Sequence, residues 1–195
     1  MSQPIGDIQH LEKNAAVRFL YLPIVRTVVL SGIGSVVLAL SARIAIPLPW
    51  TPVPVTLQTA VVLLLPLLFG AKIGALSVCF YLLEGAFGIP VFSGGQLGWL
   101  HLAGPTGGYL LGFLLSASVV GWLSERGWQC RIQRFAALLL LGHLLIYLPG
   151  LLWLSHFVGG VVRAVELGLL PFLLGDFLKT AVVFFTVRQI RKALA

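Results

Sequence analysis

Six apolar runs restrict the fold of this 195-residue chain more than any other feature. Crossing the hydrocarbon core of a bilayer takes about 20 mainly apolar residues, or fewer where the bilayer thins locally. Hydrophobic residues make up 58% of the sequence and charged residues only 10%, which is typical of an integral membrane protein. We therefore predict an all-α integral membrane protein built as a bundle of six transmembrane helices. The predicted spans are 24–46, 56–69, 73–89, 107–123, 135–157 and 172–190.

The second, third and fourth spans are short, and Pro66 interrupts the second, so a re-entrant segment is an alternative to a full span there. No polar linker divides the chain, which predicts a single membrane domain over residues 1–195. Residues 1–23 lack the apolar core of a signal peptide and are predicted to form a cytoplasmic lead-in.

The distribution of Lys and Arg predicts the orientation, because cytoplasmic loops carry an excess of both. With the N-terminus inside, ten of these residues fall on the inner side: Lys13, Arg18, Arg26, Lys72, Arg126, Arg131, Arg134, Arg188, Arg191 and Lys192. Three fall on the outer side: Arg43, Arg163 and Lys179. We predict a multi-pass protein of the plasma membrane with both termini cytoplasmic. This asymmetry explains the net charge of +7 without a nucleic-acid partner.

Three unusual loops lie on the outer side in this topology. Residues 47–55 read PLPWTPVPV, and the prolines favour a rigid, extended strap that cannot be helical. Residues 90–106 belong to a glycine-rich stretch. Irregular backbone beside a membrane persists only where it is buried in protein, lines a cavity or meets water. The third loop, 158–171, leads into the last span. We predict a ligand site where the three loops meet.

Ionisable side chains within spans are rare and usually functional. Asp176 and Lys179 share a helix face at i, i+3 spacing. They would bind the N–H groups and an oxygen of a ligand, or alternatively only neutralise each other. Glu84 is a third candidate for binding a ligand. Alternatively, it is a surface carboxylate at the level of the lipid headgroups. Gln58 offers donors and acceptors to a ligand, although packing between helices would use the same groups.

Four sequence blocks, taken in order, resemble the BioY family of biotin transporters. They are IPLPWTPVPVTLQT (46–59), YLLEGAFGIPVFSGG (81–95), GPTGGYLLGF (104–113) and PFLLGDFLK (171–179). The resemblance extends from the first predicted helix to the last. It implies a six-helix substrate-binding subunit, the S component of an energy-coupling-factor transporter. Such a subunit captures biotin at the outer face and works with a transmembrane coupling protein and two cytoplasmic ATPases.

The same resemblance implies that Asp176 and Lys179 bind the ureido group of biotin. The predicted substrate-binding residues are Gln58, Tyr81, Glu84, Gly85, Gly94, Gly95, Tyr109, Asp176 and Lys179. For Tyr81 and Tyr109, a position in the interfacial aromatic belt is the alternative. The sequence contains no phosphate-binding loop of the form GxxxxGK[ST]. We therefore predict that the partner ATPases carry the ATP chemistry and that the chain needs no cofactor and no catalytic residue of its own.

Small residues at four-residue spacing on the first helix, Ser31, Ser35 and Ala39, would allow another helix to approach closely. They resemble the surface through which S components meet the coupling protein, and packing within the bundle is the equal alternative.

Other chemistry has little support in the sequence. The four histidines lack metal-ligand spacing, and the predicted topology separates Cys79 from Cys130, so neither a metal site nor a disulfide is predicted. The alternative function is a membrane enzyme or lipid-handling protein that uses Asp176, Lys179 and Glu84 as acid–base groups. Within the transporter hypothesis, the chain would move biotin either with the ATPase module or unaided.

Overall fold

The structure is a computed structural model that describes residues 23–95 and 98–194, so the predicted lead-in lies almost wholly outside the described residues. The chain is mostly helical, as predicted. The helices, in chain order, are α1 (Pro23–Arg43), α2 (Gln58–Phe69), α3 (Ala71–Ala86), α4 (Trp99–Ala103), α5 (Gly107–Glu125), α6 (Ile132–Val158), α7 (Val161–Gly168) and α8 (Leu170–Leu194). Short 3-10 turns lie at Ser93–Gly95 and Trp128–Cys130.

A helix lies at each of the six predicted spans. Four of them, α1, α5, α6 and α8, are long and apolar enough to cross a membrane. The other two, α2 and α3, have 12 and 16 residues and are shorter than a standard span. Pro66 lies inside α2 and does not end it. The chain instead turns at Gly70, whose positive φ of 88° favours glycine and whose N–H bonds to the Pro66 carbonyl at 3.0 Å.

These six helices alternate in direction, so the bundle has two distinct ends. At one end, Arg43 donates to the carbonyl of Pro90, and Trp153 donates to the carbonyl of Gly104 at 2.9 Å. We call this the cavity end. At the opposite end, the Glu125 carboxylate accepts the first backbone N–H of α3 at 2.7 Å, a favourable place for a negative charge. The start of α1 and the finish of α8 share this opposite end.

The proline-rich strap between α1 and α2 forms a small hairpin at the cavity end. Its strands, β1 (Ala45–Ile46) and β2 (Val55–Thr56), are antiparallel, with Ala45 opposite Thr56. Between them the prolines keep the loop out of helical conformation. Val53 at the base of the loop is buried against the bundle. The strap is therefore a wall of the protein and not a free loop.

The connection predicted as an open loop over 158–171 contains the helix α7. Gly159 and Gly160 both have positive φ, which ends α6 and turns the chain into α7. The short helix is amphipathic: it buries Ala164 and exposes Arg163 and Glu166. Eight residues are too few for a span, so a search for long apolar runs overlooks this helix.

Two clusters of buried apolar side chains form the core. One surrounds the cavity end and includes Leu38, Phe92 and Ile146, and the other lies towards the opposite end and includes Phe135 and Val187. Other large apolar side chains point outward from the long helices, among them Ile24, Leu140, Leu148, Val182 and Phe185. Because exposure of so many large apolar side chains would be unfavourable in water, this surface suits lipid.

Small residues let α1 pack tightly against α3. Ser31 and Ser35 are fully buried, and Ser35 donates to the Glu84 carboxylate of α3 at 2.7 Å. Two members of the predicted coupling surface therefore face the inside of this bundle, and Ala39 is partly buried. The burial of Ser31 and Ser35 fits the alternative in which these residues pack within the bundle. The role of the three residues in contacting the coupling protein stays a prediction.

The α1–α3 contact predicts opposite effects for two neighbouring glycines of α1. A Cβ added at Gly34 would lie 2.7 Å from the Ser77 Cβ of α3, whereas a Cβ at Gly32 would meet nothing within 4 Å. We expect Gly34→Ala to destabilise the folded protein by about 1–3 kcal/mol through overpacking. Gly32→Ala should be neutral or stabilise it by up to about 1 kcal/mol, because alanine favours helix. Thermal unfolding in detergent measures both, and equal melting temperatures would contradict this packing.

Candidate functional site

A cavity of about 550 Å³, including open solvent at its mouth, lies among the helices at the cavity end. Its apolar walls are Val53, Pro54, Leu110, Phe113, Ile146 and Phe172. Its polar lining is Thr56, Gln58, Thr59, Tyr81, Ser93, His101, Thr106, Tyr109, Tyr147, Asp176 and Lys179. Apolar walls with a limited number of convergent polar groups are typical of small-molecule sites.

A buried ion pair forms the polar centre of the cavity. Asp176 lies in the second turn of α8 with only 4% of its surface exposed. Its Oδ1 atom accepts from Lys179 Nζ at 2.8 Å and from the Thr59 hydroxyl of α2 at 3.0 Å, and Oδ2 accepts from the Tyr147 hydroxyl of α6. Burying a charge costs several kcal/mol unless partners replace its hydration. Here the partners come from three helices.

The ion pair retains unused hydrogen-bonding capacity. A carboxylate can accept about four hydrogen bonds, and the described residues supply three to Asp176. The Lys179 ammonium has three N–H donors, and it reaches Asp176 and, at 3.4 Å, Thr59. His143 Nε2 lies 3.8 Å from Asp176 Oδ2, beyond hydrogen-bonding distance. One acceptor position and one donor are thus left for a molecule in the cavity.

A second polar group lines the cavity at the start of α2. The Gln58 amide donates to the Tyr81 hydroxyl at 2.7 Å and accepts from the Thr56 hydroxyl at 3.2 Å. Both Gln58 and Tyr81 are buried. Because Tyr81 accepts this hydrogen bond, its own proton is free to be donated into the cavity.

Aromatic side chains shape the wall nearest the glycine-rich connection. Phe92 packs edge-on against Tyr81 and stacks on the His101 ring with centroids 4.6 Å apart. The tip of the Phe92 ring occupies the space that a Cβ at Gly85 would need, so glycine there admits the ring into the core. Burial lowers the pKa of His101 below its usual range, which keeps this ring neutral at physiological pH.

A wider space, which we call the vestibule, adjoins the mouth of the cavity and measures about 1350 Å³ including open solvent. Pro54, Ser93, His101 and Thr106 line both spaces, so the two lie side by side. The rest of the vestibule is made by the end of α1, the strap and the glycine-rich connection.

The structure brings five of the nine predicted substrate-binding residues together in the cavity: Gln58, Tyr81, Tyr109, Asp176 and Lys179. Gly94 lines the vestibule. Glu84 points towards α1, where it accepts from Ser35, and Gly85 contacts Phe92. Neither of these two is among the described residues lining either space, and the role of Gly95 stays a prediction.

Sequence reasoning did not select Thr59 and Tyr147, which contact Asp176 directly. The sequence nevertheless contains a feature at each position that could have identified it as a site residue. Tyr147 is a tyrosine in the middle of a predicted apolar span, where the belt interpretation does not apply, and Thr59 immediately follows Gln58. Their role depends on which helix faces α8, and no pattern within one helix contains that information.

The fold and the site together define an integral membrane protein that holds a small-molecule cavity inside a helical bundle. The family model described as the BioY family matches residues 11–195. The chain belongs to the BioY family, which confirms the resemblance inferred from the four sequence blocks. This is a family of transporters and not of enzymes, so the enzyme alternative is not favoured.

Relatives and a solved structure agree with this assignment. The chain is 36% identical over 167 residues to a biotin transporter BioY of Thermotoga maritima, covering 86% of this chain and 96% of the relative. It is 40% identical over 140 residues to a probable biotin transporter BioY of Pyrococcus horikoshii, covering 72% and 82%. The fold matches a crystal structure of the S-component for biotin from an ECF-type ABC transporter, with a TM-score of 0.77, 26% identity and coverage of 86% and 92%.

The two buried tyrosines of the cavity should contribute unequally to stability. Tyr147 donates to a carboxylate, whereas Tyr109 donates to the neutral carbonyl of Gly168 at 2.9 Å. Hydrogen bonds to charged groups contribute about 1.5–3 kcal/mol and neutral ones about 0.5–1.5 kcal/mol. We expect Tyr147→Phe to lower the thermal stability of the ligand-free protein more than Tyr109→Phe does. Melting curves of the two variants test this, and the reverse order would mean that Asp176 does not depend on Tyr147.

Proposed function

We propose that this chain is the membrane-embedded biotin-binding subunit, the S component, of an energy-coupling-factor transporter. It captures biotin at the outer face of the plasma membrane and releases it to the cytoplasm. Membership of the BioY family supports the class of protein, and the names of its relatives support the vitamin. The chemistry of the cavity supports the same ligand independently.

The observation that carries the proposal is the unused capacity of the Asp176–Lys179 pair. A ureido group presents N–H donors beside a carbonyl acceptor. One N–H would donate to Asp176 Oδ2, and the carbonyl would accept the third N–H of Lys179, each as a charge-assisted hydrogen bond. The Tyr81 hydroxyl, which also lines the cavity, offers a further donor. No other part of biotin matches a paired acceptor and donor in this way.

The rest of biotin matches the walls of the cavity. The fused rings and the aliphatic chain are apolar, and Leu110, Phe113, Ile146 and Phe172 provide apolar contacts. Burying each methylene group contributes about 0.8 kcal/mol. Affinity would therefore come largely from the walls, while the ion pair fixes the orientation of the ligand and selects the ureido group.

The membrane arrangement that we propose keeps the complete chain as a single membrane domain of six spans with both termini cytoplasmic. The two short helices α2 and α3 would cross where the bilayer is locally thinner. A transmembrane coupling protein and two ATPases would supply the energy, so that the chain itself needs no cofactor. The excess of Lys and Arg at the end opposite the cavity supports a cytoplasmic location for that end.

Equilibrium binding to the purified, detergent-solubilised chain tests the function. Labelled biotin should bind with one-to-one stoichiometry. Unlabelled biotin should displace it, while riboflavin and thiamine should not. Dethiobiotin keeps the ureido group. Its affinity relative to that of biotin would therefore measure how much the apolar walls contribute to binding. A folded sample that binds none of these ligands would exclude the proposed function.

Asp176→Asn should weaken biotin binding because the amide loses the negative charge that strengthens the ligand hydrogen bond. The expected loss is about 1.5–3 kcal/mol, or roughly ten- to a hundredfold in Kd. Glu166→Gln is the matched control, since it also neutralises a carboxylate but lies exposed on α7 and outside the cavity lining. Equal affinity of the two folded variants for biotin would remove Asp176 from the site.

A further inference from the structure

The vestibule offers a place for the end of the ligand that the ion pair does not bind. With the ureido group against Asp176 and Lys179, the aliphatic chain of biotin would extend away from α8. The vestibule adjoins the cavity along four shared lining residues, Pro54, Ser93, His101 and Thr106, and is the space into which the chain would extend. The carboxylate at the end of the chain would then reach the vestibule, where it keeps contact with water.

Arg43 is the charged residue at this place. It ends α1, lines the vestibule, and donates one guanidinium N–H to the carbonyl of Pro90. A guanidinium has five N–H donors in a planar arrangement that suits a carboxylate, so most of them stay available. Within residues 23–95 and 98–194, no carboxylate lies within 4 Å of Arg43. The contact with Pro90 holds the side chain in position without neutralising it.

The remaining lining of the vestibule supplies no competing charge among the described residues. It consists mainly of proline, glycine, alanine and hydroxyl side chains, together with His101. Because burial lowers the pKa of His101, that ring carries no charge at physiological pH. Arg43 therefore makes the entrance electrostatically positive, which would also accelerate the approach of an anionic ligand.

We propose that Arg43 binds the terminal carboxylate of the ligand and makes the site selective for a free acid. This inference rests on the proposed function, because it takes biotin with its ureido group at the ion pair. Cavity and vestibule then form one binding site with two charged ends: Asp176 and Lys179 recognise the ureido group, and Arg43 recognises the carboxylate. The apolar walls fill the space between the two ends.

The test compares biotin with its methyl ester, which keeps the rings and the chain but has no charge at the end. Four proteins are measured: the wild type, Arg43→Gln, Arg43→Lys, and Arg163→Gln as the matched control. Arg163 is an exposed arginine of α7 that lines neither space. Kd values for both ligands are determined at low and high ionic strength.

For Arg43→Gln we expect the Kd for biotin to rise about three- to tenfold, a moderate factor because the ion pair would be partly exposed to water. The Kd for the ester should change by less than about twofold. Arg43→Lys should retain part of the preference for the acid, and Arg163→Gln should leave it unchanged. Salt should weaken binding of biotin to the wild type more than to Arg43→Gln.

Two results would overturn the inference while leaving the proposed function intact. An equal loss for biotin and the ester would mean that Arg43 only positions the connection through Pro90. No loss for either ligand would mean that Arg43 does not meet the carboxylate. If the folded wild type binds neither compound, the proposed function itself fails and the inference fails with it.

Discussion

The structure of the site depends on one buried carboxylate. Burying the Asp176 carboxylate costs free energy that its hydrogen-bond partners offset, and these partners come from α2, α6 and its own helix. The requirement to solvate this charge therefore determines how three helices meet. The proposed function uses the same carboxylate, because the donors present leave one of its acceptor positions open. A ligand that fills this position completes the solvation that the protein provides only in part.

Side-chain packing supports the strap and the described part of the glycine-rich connection, which contain only short strands and helices. Proline keeps the strap extended, and glycine at position 85 admits the Phe92 ring into the core. The buried ring in turn holds His101 and Tyr81 against the cavity. Two residue types that disfavour helices thus produce a rigid wall beside helices that lipid surrounds. Irregular backbone persists there because protein and the cavity, rather than lipid, are its neighbours.

On α1, buried small residues lie on one face and exposed large apolar residues lie on another. Ser31, Gly34 and Ser35 face α3, where they allow close approach and where Ser35 holds Glu84 by a hydrogen bond. The outward face of the same helix carries Ile33, Val36 and Leu40, which are exposed. A partner in the membrane that meets α1 from outside would first contact these apolar side chains. Small residues in a span therefore do not by themselves identify the surface that a partner uses.

The sequence alone determined the helical membrane class, the position of each long helix, the non-helical strap and the Asp176–Lys179 pair. These features depend on local properties: runs of apolar residues, proline geometry and the three-residue spacing on one helix. It also predicted the family, because four motifs occur in order. Only the tertiary structure decided that Thr59 and Tyr147 join the pair and that Glu84 and Ser35 face each other. These features depend on which faces of distant segments meet, and this is set by packing of the whole bundle.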